Sequence, residues 1–137
     1  MPLKPKPGAV VFAKDPARVA RFYEEIAGLS VVQVENGHVI LESEDIQLVV
    51  HAIPKRVADT ITIANPPELR EERAIKLFFP VESLAEARDK ALALGGGLSP
   101  DKKEFEARGF RACDGYDPEG NVVQFREGGE MKQNGSH

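Results

Sequence analysis

Residues 9–29 begin with the apolar run Ala9-Val10-Val11-Phe12-Ala13, pass through Lys14-Asp15-Pro16 and close on Gly28-Leu29. The opening run is short and rich in β-branched side chains, which predicts a buried strand. Asp15 offers a carboxylate to the free amides of a helix start. Pro16 fits the first helical turn, where no backbone donor is needed. Val19, Phe22, Tyr23 and Ile26 then recur at i, i+3, i+4 and i+7, so one stripe of the helix is apolar. Arg18, Arg21, Glu24 and Glu25 take its other side. Gly28 suits a left-handed helix end.

Working outward, three more strands follow at 30–34, 39–43 and 46–51. Asn36-Gly37 is a two-residue hairpin signal, Glu44-Asp45 turns the chain again, and Pro54 stops the last strand. The stretch 54–73 reads as a linker, because it holds Pro66-Pro67 and a charged run, with one short strand at 60–63. The order then repeats. A strand at 75–79 leads to Ser83-Leu84-Ala85-Glu86, a capping box in which hydroxyl and carboxylate satisfy amides reciprocally. Leu84, Ala87, Ala91 and Leu94 form the helical stripe, and Gly95-Gly96-Gly97 ends it. Strands at 110–114 and 122–126 flank the turn Asp117-Pro118-Glu119-Gly120-Asn121. The fold class is therefore α+β: two βαβββ modules, 8–53 and 74–127, joined by linker 54–73 in one domain spanning 1–137, with a flexible polar tail at 128–137. A module of this size buries little surface alone, so the two are expected to pack as a pair.

Composition narrows the functions. Eighteen Lys and Arg against 22 Asp and Glu give a formal net charge of −4, with both signs mixed along the chain. Duplex binders concentrate positive charge, so a nucleic-acid partner is not expected. No apolar run reaches the ~20 residues of a membrane span, and the N-terminus lacks the apolar core of a secretory signal. The single cysteine, Cys113, permits no internal disulfide and no multi-cysteine zinc site, which points to a reducing, cytoplasmic setting. Gly95-Gly96-Gly97 follows a helix, whereas phosphate cradles precede one.

The elements Lys14-Asp15-Pro16, Arg21-Phe22-Tyr23 and Gly28-Leu29, followed by Asp117-Pro118-Glu119-Gly120-Asn121, resemble the vicinal oxygen chelate superfamily. That superfamily takes in glyoxalases, bleomycin-resistance proteins, fosfomycin-resistance transferases and extradiol dioxygenases. The resemblance runs from about Gly8 to Glu127 and implies paired modules whose strands form an open, cup-shaped mixed sheet, helices outside. It also implies a homodimer.

Metal-dependent relatives place His, Glu or Gln ligands on four strands. Carried over by position, the resemblance puts those ligands at Gly8, at Lys76, at Gln124 and at one of Gln47, Val49 or His51. Glycine has no donor atom, and a protonated lysine repels a cation. Gln124 is a neutral amide where glutamate is usual. Divalent sites generally want three or more anionic or imidazole donors, so no metal and no other cofactor is expected.

Strand alternation places Phe12, Gln47 and His51 on the face away from the first helix, and Lys76, Phe78, Gln124 and Arg126 on the equivalent face of the second module. The opposite faces, Ile46/Leu48/Val50, Ile75/Leu77/Phe79 and Val123/Phe125, are apolar and expected to pack under the helices. Apolar walls with a few donors and cations suit a ligand pocket. Lys76 and Arg126 could grip a carboxylate or phosphate, or pair with Glu42 or another strand acid. His51 could act as a general base, although no catalytic set is legible. His38, beside the hairpin turn, is expected at the surface, and Cys113 in the core. The expected function is a metal-free, glyoxalase/bleomycin-resistance-like protein that binds a small organic ligand. The alternative is a metal-dependent lyase or isomerase of the glyoxalase type, or a dioxygenase.

Overall fold

The computed structural model describes residues 5–128. The fold is α+β, with two mixed sheets among the described residues, and the chain divides into two compact units between Thr62 and Ile63.

The first unit runs β1 (Gly8–Ala13), α1 (Pro16–Ala27), β2 (Ser30–Glu35), β3 (His38–Glu42) and β4 (Gln47–Ala52). Its sheet order is β1-β4-β3-β2, with β1 and β4 parallel and the other pairs antiparallel. Helix α1 starts as its sequence demands. Asp15 accepts from the Arg18 amide at 3.2 Å, Pro16 occupies the first turn, and Gly28 caps the far end at φ 73°. Val19, Phe22, Tyr23 and Ile26 are all buried, and they face Val39, Leu41, Leu48 and Val50 of the sheet. The hairpin between β2 and β3 turns on Asn36 and Gly37, with φ 53° and 81°, the left-handed pair that matches strand twist.

No strand forms at 60–63. Lys55–Ala58 makes a single helical turn instead, α2, and the amides of Thr60 and Ile61 bond back to the carbonyls of Val57 and Ala58. Those amides are thereby committed to the turn and are lost to any ladder.

The second unit runs β5 (Leu77–Val81), α3 (Leu84–Ala93), β6 (Gly97–Leu98), a 3-10 turn at Asp101–Lys103, β7 (Phe105–Ala107), β8 (Phe110–Tyr116) and β9 (Val122–Gly128). Its order, β5-β9-β8-β6, repeats the first unit's wiring, with the outer first strand parallel to the last; β7 pairs with β8 in addition. Strand β5 begins two residues later than expected, so Ile75 is exposed (79%) and does not pack beneath the helix. Pro80 is tolerated because β5 is an edge strand and needs no donor on its open side. Ser83 caps α3 by accepting from the Glu86 amide at 3.1 Å, and Glu127 accepts from the Leu84 amide at 2.7 Å. Beneath the helix lie Phe79, Val123 and Phe125, all buried.

The turn before β9 is built on a fully buried acid. The Asp117 carboxylate accepts from the amides of Glu119 (2.9 Å) and Asn121 (3.1 Å) and from Asn121 Nδ2 (2.8 Å). The linker closes over it: the Arg70 amide donates to the Gly120 carbonyl at 2.8 Å. A residue with a side chain at position 120 would drive its β-carbon into the Glu68 carbonyl. Among the described residues no helix is long and apolar enough to cross a membrane. The tail expected at 128–137 lies, beyond Gly128, outside the described residues.

Candidate functional site

In each unit the sheet face opposite the helix keeps large apolar side chains in contact with solvent. Phe12 is 60% exposed and Phe78 54%. Their neighbours determine what those faces can do.

On the second unit, Lys76, Phe78, Gln124 and Arg126 come together. Strand register sets Phe78, Gln124 and Asp114 side by side on β5, β9 and β8. Lys76, just before β5, donates to Asp114 Oδ2 at 3.0 Å, and Gln124 Nε2 donates to Asp114 Oδ1 at 3.3 Å. Arg126 Nε donates to Gln124 Oε1 at 2.8 Å. Arginine can only donate, so it fixes the Gln124 amide: oxygen toward Arg126, nitrogen toward Asp114. The result is a continuous row, cation, carboxylate, amide, cation. The Arg126 guanidinium carbon lies 3.5 Å from the Phe78 ring centroid and 4.6 Å from that of Phe110.

Asp114 and Phe110 escaped the sequence reading. The signal was present, because the turn 117–121 pairs residues symmetrically about its centre. Counting outward sets Tyr116 opposite Val122, Asp114 opposite Gln124 and Ala112 opposite Arg126. Ending the strand at Asp114, two residues short of Tyr116, hid that register.

On the first unit, Phe12 and His51 are register partners on β1 and β4, with ring centroids 5.3 Å apart. His38 is half-buried, which corrects the expectation of a surface side chain. Its ring stacks on His51 at 3.8 Å. His38 Nδ1 accepts from the Ala52 amide at 3.1 Å, so that nitrogen carries no proton. His51 Nδ1 lies 2.9 Å from the Ala52 carbonyl and must therefore donate, leaving Nε2 as its basic nitrogen. Gln47 does not join this ring cluster. It donates to Glu42 at 2.8 Å, and Lys6 donates to the same carboxylate at 2.8 Å. Those two bonds hold the Glu42 carboxyl below its ordinary value, Lys6 first. Glu42 is thus the partner of Lys6, while the acid that meets Lys76 is Asp114.

Three of the four expected metal positions, Gly8, Lys76 and Gln124, do not fit a metal ion. At Gly8 a β-carbon would run into the Gln47 carbonyl, so the position has neither a donor nor space for one. Lys76 is a cation already paired, and both ends of the Gln124 amide are engaged. Among the described residues, no three His, Cys, Asp or Glu side chains gather in a geometry that could hold a metal.

Cys113 is fully buried, and burial pushes its thiol above the ordinary value. Close by, Glu104 bonds Arg88 at 2.6 Å and Arg111 at 2.7 Å. The Arg88 contact, and after it that of Arg111, holds the Glu104 carboxyl below its ordinary value against the opposing effect of burial.

The profile of a family described as "Glyoxalase-like domain" matches residues 9–125. Comparison with curated proteins found no match. Among solved structures, a glyoxalase/bleomycin resistance protein/dioxygenase family enzyme from Burkholderia phytofirmans superposes with TM-score 0.60 at 19% identity, covering 88% of this chain and 95% of that one. The fosfomycin resistance protein FosX from Mesorhizobium loti gives TM-score 0.61 at 14% identity, covering 98% and 99%. FosX from Listeria monocytogenes, solved with Mn(II) and sulfate, gives 0.62 at 14%, with the same coverage.

Proposed function

The chain belongs to the glyoxalase-like domain family, in the vicinal oxygen chelate superfamily, and from that premise we propose that it binds a small organic ligand without a metal ion. One observation carries the reading. The row Lys76–Asp114–Gln124–Arg126, seated against the exposed Phe78 ring, supplies its own fixed charges where relatives of this fold use an ion. A cation bonded to Asp114 offers electrostatic attraction to an anion but no open coordination position. Phe12 and His51 offer ring faces on the first unit, and Gln47 lends a polar edge to the same sheet face. A cytoplasmic homodimer is part of the same proposal.

Metal analysis of untagged protein, followed by titration with nickel, zinc and manganese, tests it. No stoichiometric ion is expected. One tightly held ion per chain overturns the reading in favour of a metal-dependent lyase, isomerase or dioxygenase. A thermal-shift screen of aromatic and anionic compounds supplies the second arm. A true ligand at ~100 times its dissociation constant stabilises by about 2.7 kcal/mol.

A further inference from the structure

Beside the polar row, the second unit has a cavity of ≈ 530 Å³ whose lining includes Pro80, Val81, Phe110, Arg108 and Arg126. Two arginines line it and, among the described residues, no Asp or Glu does. Arg126 uses Nε to hold Gln124, and neither of its Nη atoms has a hydrogen-bond partner among the described residues. Phe78 covers a face of that guanidinium. A guanidinium so covered presents its edge, where paired N–H groups match the two oxygens of an oxyanion.

Arg108 adds an independent observation. Ala107 and Phe110 are the last register pair of the β7–β8 hairpin, so Arg108 and Gly109 are its two central residues, at φ 48° and 91°. Both positions lie in the left-handed region, where Asn, Asp or Gly is favoured and a long side chain is strained. The arginine held there stands 5.8 Å from the Phe110 ring centroid, on the same ring that Arg126 approaches. Local turn chemistry does not explain an arginine at this position, whereas charge facing the cavity does.

Resting on the metal-free ligand-binding reading above, we infer that this cavity recognises an organic carboxylate with a flat apolar body, Arg126 gripping the carboxylate, Arg108 adding charge, and Phe110, Pro80 and Val81 taking the body. The walls are too apolar for a bare inorganic anion to use fully.

Calorimetric titration with 2-naphthoate, 2-naphthamide and inorganic phosphate tests this, using chelator-treated protein and protein supplied with Mn²⁺. Naphthoate is expected to bind about tenfold or more tightly than the neutral amide or phosphate. Arg126→Lys keeps the charge but removes the fork, and Arg108→Asn relieves the turn while removing a cation. Each is expected to weaken naphthoate about tenfold and leave naphthamide unchanged, with Arg108→Asn raising the melting temperature. Equal binding of naphthoate and naphthamide, wild-type affinity in both variants, phosphate matching naphthoate, or no naphthoate binding each overturns the inference. Naphthoate binding that appears only with Mn²⁺ overturns the metal-free function instead, and metal-independent binding indifferent to both variants overturns this inference alone.

Discussion

The Lys76 ammonium meets the Asp114 carboxylate at 3.0 Å, and both side chains remain well exposed, at 45% and 39%. Exposed pairs of this kind contribute little because water screens them. Asp114→Asn is therefore expected to lower stability by no more than about 1 kcal/mol in urea unfolding. The same change removes the negative charge between Lys76 and Gln124. Binding of anionic compounds on this face should then strengthen severalfold, as Lys76 loses its acid partner. Unchanged or weaker anion binding in this variant would count against the charge reading of the row.

The crowding at Gly8 makes a second forecast. Its sheet partner is Gln47, whose backbone carbonyl occupies the space of a β-carbon. Gly8→Ala is expected to cost about 1–3 kcal/mol, the usual range for overpacking, because edge strand β1 must shift from β4. Gly8→His should destabilise at least as much and show no rise in melting temperature with added zinc. A zinc-dependent rise would mean that β1 moves freely enough to rebuild a ligand.

Acid sensitivity follows from Glu104. Its folded-state pKa is lowered from the ordinary 4.5, mainly by the Arg88 contact and then by Arg111. A depressed carboxyl contributes stability that is fully present above the unfolded value. That contribution is lost as pH falls below about 4.5 and through the folded value. Glu104→Gln should cost about 2 kcal/mol at neutral pH, since two arginines lose a charged acceptor. The difference between variant and wild type should shrink as pH is lowered through that window. Glu42 is shifted in the same direction, so the variant keeps part of the acid sensitivity. Urea midpoints measured between neutral pH and the acid limb check both statements.

Cys113 has no exposed surface and its thiol is pushed upward by burial. The thiolate is the reactive form. Labelling by an aromatic disulfide reagent at neutral pH should be slow in folded protein and fast in urea. Rapid, stoichiometric labelling of the native protein would contradict the buried placement.

Much of the frame was legible because its determinants are local. Asp15-Pro16 with the Val19, Phe22, Tyr23, Ile26 stripe announced α1, Asn36-Gly37 announced a hairpin, and Ser83 announced the cap of α3. The apolar faces Leu48/Val50 and Val123/Phe125 were assigned to the core by alternation alone, and they are buried. Ile75 broke the pattern because alternation cannot say where pairing begins: β5 takes its first register partner at Leu77.

The candidate site was half legible for the same reason. Asp114 lies 38 residues from Lys76 and 10 from Gln124, so chemistry at Lys76, Gln124 and Arg126 could be named from residue type while the acid that joins Lys76 to Gln124 needed the strand register. Likewise Glu42 was a plausible acid for Lys76 until Lys6 and Gln47 were seen to hold it. Helix starts, turns and buried faces need only neighbours a few residues away, and the chain declares them. Which acid meets which base, and whether a glycine has space beside it, depends on register across strands, and that is settled when backbones lock together.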